Sequence, residues 1–401
     1  ADVASRADNP SLGIRSFGDD PAEVAHLTGA MVDGLRRAGV MATAKHFPGM
    51  GVARVDPHYD LPLLDLDRDR LDRIELPPFR SAFDAGAELL MMGHYVVPAV
   101  TGSDDLPISA SERGIDGFVR AEMGFDGLVI TDALDMGALD QGPAQVVEII
   151  TMMRGGIDLL LCMPDPALQE RVRVAVERGH SRELIPERVL TRSATRIERL
   201  RGSIPVPEIH PETVGASDHL ALAARLAELS VTLVRNDDGH LPLRPSPDSR
   251  ILAMEPVPTN MTPADTTAMY PPLLASALRN RHRAVTEIVY PHFPERSDIE
   301  AAVNAAGEHD LVVVGTVTAS TGQADLVEAL LGTGKPVVTV ALRTPYDLAA
   351  YPRSSTHICT YSGHLPSLEA LVRALFGDLP FRGRLPAAIP GLYPRGHGVV
   401  K

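Results

Sequence analysis

The chain has 401 residues, 44% of them hydrophobic and 22% charged, with a net charge of −14, two cysteines and no tryptophan. That length suggests two domains, and the composition is that of an ordinary globular protein. The acidic balance argues against nucleic acid, which is gripped by basic patches. No apolar run approaches the ~20 residues that span a bilayer, so no membrane span is expected.

The opening carries no basic end followed by an apolar core, so a cytoplasmic protein is expected, with a secreted or lipoprotein form left open. Cys162 and Cys359 lie in separate apolar runs far apart, which reads as two free, buried thiols.

Residues 1–21 start with Asp2-Val3 and continue as a loop. Pro21 to Arg37 has helical spacing (Val24, Leu27, Met31, Leu35), with Asp20 before Pro21 as a cap. Gly39–Ala44 is an apolar run that stops at Lys45-His46, as a buried strand does when it delivers polar groups to a sheet edge. Asp67–Ala85 reads as a helix, and a strand follows that ends at His94. Leu106–Ser109 reads as a short extended piece and Ser111–Met123 as a helix closed by Gly124. The next strand ends at Thr131-Asp132, and after another helix G-I-D-L-L-L-C-M closes the series.

This βαβα rhythm indicates an α/β fold of the (β/α)8 type, whose chemistry sits at the C-terminal strand ends. About five units and a strand stub are present where a closed barrel takes eight. The reading is therefore a TIM-barrel-type domain over 1–200, N-terminally incomplete. Such a barrel cannot close by itself, and its exposed strand edges invite self-association. A proline-bearing linker over 201–217 leads to a second α/β series over 218–401. Its strand-like runs are Val231–Val234, Ile251–Met254, Glu287–Tyr290, Leu311–Gly315, Val337–Leu342 and His357–Tyr361. They suggest a doubly wound α/β sandwich with no G-x-G-x-x-G or P-loop after its first strand.

The chemistry concentrates in 44–61, A-K-H-F-P-G-M-G-V-A-R-V-D-P-H-Y-D-L. In an extended segment Asp56 and His58 point to the same side and can meet. A His beside a carboxylate is a proton carrier near neutral pH. A solvated Pro/Gly loop with incidental histidines is the bland alternative. His94 is equally a core histidine or a site residue, and Asp132 could merely cap the turn after its strand. Asp135 and Met136 read as packing and local hydrogen bonding.

Lys45-His46-Phe47-Pro48-Gly49-Met50-Gly51, then Asp56-Pro57-His58 and Leu61-Pro62, resembles the K-H-F-P-G-H-G…D-S-H…L-P signature of glycoside hydrolase family 3, in its β-N-acetylhexosaminidase branch. Ile130 to Met136 looks like that family's nucleophile strand, and Gly13-Ile14-Arg15-Ser16-Phe17-Gly18 like the loop after its third barrel strand. Leu342 to Asp347 and Gly383 to Pro386 are similar to its second domain. The resemblance implies a retaining exo-β-N-acetylglucosaminidase acting on peptidoglycan or chitin fragments. It implies Asp132 as nucleophile, His58 as general acid/base polarised by Asp56, and Arg15, Lys45 and His46 as sugar-binding groups; His94, from its place at a strand end, is counted with the substrate-binding residues. It implies a small carbohydrate as the partner and neither cofactor nor metal.

Met50 and Pro57 depart from the signature, where the family has His and Ser. The counterparts of its first two strands and of an acidic substrate-binding residue are missing. Neutral His repels an anionic nucleophile less than a second carboxylate does, which could also admit phosphate, so phosphorolysis is a second outcome. A metal-dependent barrel hydrolase built on Lys45, His46, His58, His94 and Asp132 is a rival, although no H-x-H pair ends a strand. An inactive binding protein that keeps the motif is another.

Overall fold

A computed structural model describes residues 1–204, 210–318 and 321–400, so the middle of the expected linker, 205–209, lies outside the described residues. The chain divides into two compact units, Ala1–Glu208 and Ile209–Lys401.

The first unit is built on four parallel strands, β1 (Thr43–Phe47), β2 (Leu89–Met92), β3 (Leu128–Ala133) and β4 (Leu159–Leu161), side by side in that order. Helices connect them, as parallel neighbours require. Helix α1 (Pro21–Arg37) starts where expected, with Asp20 accepting from the amides of Ala22 and Glu23 at 3.1 and 2.9 Å. One face of the sheet packs on the helices. Ala44, Phe47, Leu90, Met92 and Val129 join Phe79, Ile115, Phe118 and Met152 in a single core. Phe47 meets Phe79 edge-on at 5.2 Å between ring centres. Burying each such ring stabilises by roughly 1.5–3 kcal/mol. The opposite face, with Lys45, Met91, Ile130 and Asp132, is exposed or half-buried.

Four local expectations need correction. The first strand is displaced to Thr43–Phe47, so Lys45 and His46 lie within it and not beyond its end. The helix expected over 67–85 is broken into Arg68–Arg70, Leu71–Glu75 and Pro77–Asp84. Pro77 and Pro78 lack the amide hydrogens that a continuous helix would use. Leu106–Ser109 is not extended: Pro107 makes an isolated bridge to Val96, and Ile108–Ala110 is a tight helical turn. The described residues carry four paired strands where about five and a stub were expected. Asp2-Val3 lies along β1 without pairing as a strand, the Ala1 amine donating to Lys45 O at 2.6 Å.

The second unit is a six-stranded sheet of β5 (Thr232–Asn236), β6 (Ile251–Pro256), β7 (Val285–Tyr290), β8 (Leu311–Thr316), β9 (Val337–Ala341) and β10 (Thr356–Cys359), in the order β5-β10-β9-β8-β6-β7. Alternate residues feed two cores. Ile251, Ala253, Val313, Val338 and Ile358 join one, while Leu252, Met254, Val312, Val314 and Cys359 join the other. Both faces of β6, β8, β9 and β10 are therefore covered, which explains why these strands read as near-continuous apolar runs, while β7 at the edge is largely exposed. β5 runs antiparallel to β10, so the sheet is mixed. Both cysteines are free, Cys359 buried and Cys162 half-buried. Among the described residues no helix is long and apolar enough to cross a membrane.

Candidate active site

The polar residues expected at the site gather around the C-terminal ends of β1, β2 and β3. Gly51 permits the first loop to fold back, since a Cβ there would sit 1.7 Å from Val3 O. That close approach brings Asp2 under the loop. Its carboxylate accepts from Met50 N at 2.9 Å and from His46 Nδ1 at 2.9 Å. Burial pushes the Asp2 carboxyl upward, but the His46 imidazole and the Met50 amide outweigh it and hold it below the usual carboxylate range. Anchored at Nδ1 by the Asp2 carboxylate, the buried His46 ring is held in orientation.

Asp56 and His58 do meet, for a reason other than the extended geometry expected. Residues 56–60 form a turn in which Tyr59 N and Asp60 N reach back to Asp56 O at 3.0 and 3.3 Å. Pro57, whose φ is fixed, suits the second position of such a turn. The Asp56 carboxylate accepts from His58 N at 3.0 Å, and His58 Nδ1 lies 2.6 Å from the same oxygen. Burial raises the Asp56 carboxyl, yet these hydrogen bonds, the His58 charge and Arg15 carry it below its ordinary value. Arg15 donates to Ser11 O at 2.7 Å through Nη2, which also lies 3.9 Å from Met50 Sδ. Met50, where the resembled signature has His, is thus a buried contact of the arginine.

Asp132 ends β3 half-buried, with Oδ1 accepting from Ala133 N at 2.9 Å. Lys45 is exposed on β1. Alone among the expected set, His94 is wholly buried, with Nδ1 2.8 Å from Ser109 Oγ. Desolvation lowers its pKa against the pull of Asp132.

Sequence reasoning misses Asp2, Tyr95 and the Gly137-Ala138 segment. In the sequence Asp2 reads only as the start of a loop, although a carboxylate beside an apolar residue at a strand end is the signal that marks Asp132. Tyr95 is fully buried, its hydroxyl has no hydrogen-bond partner among the described residues, and the charges of Asp2, Asp132, Arg15 and Asp56 all act on it. Gly137 N donates to His58 O at 2.9 Å and Ala138 N to Pro57 O at 3.0 Å, tying the dyad loop to the loop that follows Asp132. Among the described residues no three His, Cys, Asp or Glu side chains are grouped to hold a metal ion.

The first unit thus carries an Asp–His pair and a further carboxylate at the ends of parallel strands, and a second α/β unit follows it in the chain. Comparison with known proteins identifies the family. Residues 1–200 match the Glycosyl hydrolase family 3 N terminal domain and residues 231–393 its C-terminal domain, so the chain belongs to glycoside hydrolase family 3. It is 28% identical to Beta-hexosaminidase A of Pseudoalteromonas piscicida, over 97% of this chain and 72% of that protein. It is also 28% identical to the Beta-N-acetylglucosaminidase/beta-glucosidase of Cellulomonas fimi, over 94% and 71%. The solved family 3 β-N-acetylglucosaminidase from Paenibacillus sp. str. FPU-7 superposes with a TM-score of 0.89 at 29% identity, covering 97% of this chain and 75% of that one.

Proposed function

We propose that the chain acts as a retaining exo-β-N-acetylglucosaminidase, releasing terminal β-linked N-acetylglucosamine from peptidoglycan- or chitin-type fragments. The observation that carries this reading is the Asp56–His58 pair, 2.6 Å apart, on a loop tied by backbone hydrogen bonds to the segment leaving Asp132.

In the first step Asp132 attacks C1 while His58 gives its Nε2 proton to the departing glycosidic oxygen, leaving a covalent glycosyl-enzyme. In the second, His58 takes a proton from water as that water attacks C1 and frees Asp132. Asp56 holds the ring by Nδ1 and balances the charge that cycles through it. Arg15, Lys45 and His46 bind hydroxyls and the acetamido group, and His94 supports β3 from beneath. The relatives named above support the choice of sugar.

The test is release of nitrophenol from the p-nitrophenyl β-glycosides of N-acetylglucosamine and glucose, with and without phosphate, beside Asp132→Asn. Turnover of the acetamido substrate that the substitution abolishes is expected. Acceleration by phosphate would replace hydrolysis with phosphorolysis, and a folded chain that turns over neither glycoside would refute the enzyme reading.

A further inference from the structure

The loop that leaves β3 is held from within by side chains that the chemistry above does not use. The Gln141 side-chain amide donates to three backbone carbonyls, Leu134 O at 3.4 Å, Met136 O at 3.0 Å and Leu139 O at 3.1 Å. Gln145, wholly buried, donates to Leu134 O as well and accepts from Arg171 Nη1 at 2.8 Å. Leu134, Met136 and Leu139 are themselves buried, so the loop has apolar anchors too.

Out of this rigid piece point two backbone amides, those of Gly137 and Ala138, and both are spent on the dyad loop at His58 O and Pro57 O. The approach is as close as backbone allows. A Cβ on Gly137 would lie 2.7 Å from Tyr59 O, 2.8 Å from Tyr59 C and 2.9 Å from His58 O. These are main-chain atoms, so no rotamer change could relieve the clash, and the segment carrying His58 would have to move.

We propose that Gly137 is a positioning residue for acid/base catalysis: it sets the imidazole of His58 against Asp132, and Gln141 keeps that setting. The inference rests on the glycosidase reading above. Proton donation to a leaving group is steeply sensitive to geometry, because the donor must stand within hydrogen-bond reach of the oxygen as the bond breaks. A bracket that fixes the donor's backbone to the loop leaving the nucleophile's strand meets that need without a further side chain in the site.

The experiment compares the full chain with Gly137→Ala, Gln141→Leu, His58→Ala and the Gly137→Ala/His58→Ala double variant. Three β-N-acetylglucosaminides serve as substrates: chitobiose, p-nitrophenyl and 2,4-dinitrophenyl. Dinitrophenolate departs without protonation, so a misplaced acid spares it. Gly137→Ala is expected to lower kcat/KM by about 100-fold on the first two, the scale of general acid catalysis, and far less on the third. His58→Ala should show the same pattern, and the double variant should add nothing to it. Gln141→Leu, which removes the side-chain amide of an exposed residue, should show the same selectivity at about one tenth of the size. Equal losses on all three substrates, or none, would overturn the proposal.

Hydrogen exchange gives a readout that needs no turnover. The amides of residues 58–60 and 137–138 should be protected in the parent chain and exchange faster in both Gly137→Ala and Gln141→Leu. Unchanged exchange would overturn the bracket even if the rates fell. A parent chain that cleaves none of the substrates sinks the glycosidase reading, and exchange then decides the bracket alone.

Discussion

Replacing Asp56 by Asn tests the dyad most directly. The amide keeps the size of the side chain and one acceptor oxygen for His58 Nδ1, so the change isolates the carboxylate's charge. At 2.6 Å, between groups that are 6% and 19% exposed, the bond is short and only lightly screened by water. Hydrogen bonds to charged groups contribute about 1.5–3 kcal/mol against about 0.5–1.5 kcal/mol for neutral ones, a difference of about 1–1.5 kcal/mol. With the whole of that difference felt as the imidazole gains or loses its proton, kcat/KM should fall by about 5- to 13-fold. Initial rates on p-nitrophenyl N-acetyl-β-glucosaminide across the pH range measure it, and the shape of the profile should change along with its height. A loss under about threefold with an unaltered profile would show that Asp56 merely shapes the turn, and the polarised-imidazole reasoning would fail.

Two stability predictions follow from buried groups. Glu255 accepts from Leu274 N at 2.7 Å, and burial raises its carboxyl from 4.5 to about 7. Between those values the folded chain keeps a proton that the unfolded chain has lost, so stability falls as pH rises through the window. The gap is worth about 3 kcal/mol. Glu255→Gln should therefore be more stable than the parent at pH 8 and nearly equal to it at pH 4.5; chemical unfolding that shows no pH-dependent difference would refute this. Tyr95→Phe removes a buried hydroxyl that has no partner among the described residues, a group costing about 1–3 kcal/mol to desolvate. Its melting temperature should rise by a few degrees; a fall would mean that the hydroxyl is bonded in solution.

What the sequence determined by itself is local. Polar groups at the ends of apolar runs marked β1, β2 and β3, because a strand that crosses a core must be apolar until it emerges. The K-H-F-P-G-M-G and D-P-H segments named the family because the order of residues along a short stretch is preserved whatever the rest of the chain does. The inner runs of the second unit stand out for the same reason, β6, β8, β9 and β10 being buried on both faces, whereas β7 at the sheet edge leaves Glu287 and Val289 exposed.

Only the tertiary structure decided how these pieces act together. Asp2 and His46 are separated by 44 positions, and no periodicity links them; Gly51 brings them together by lacking a side chain. Asp56 meets His58 through a turn and not along a strand, since Pro57 sets the backbone between them. β5 runs against β10 because pairing at a sheet edge joins segments that are distant in the chain. Gly137 carries no signal of its own in the sequence. Its role depends on a carbonyl almost eighty residues earlier in the chain, and contacts of that range leave no trace in the order of residues.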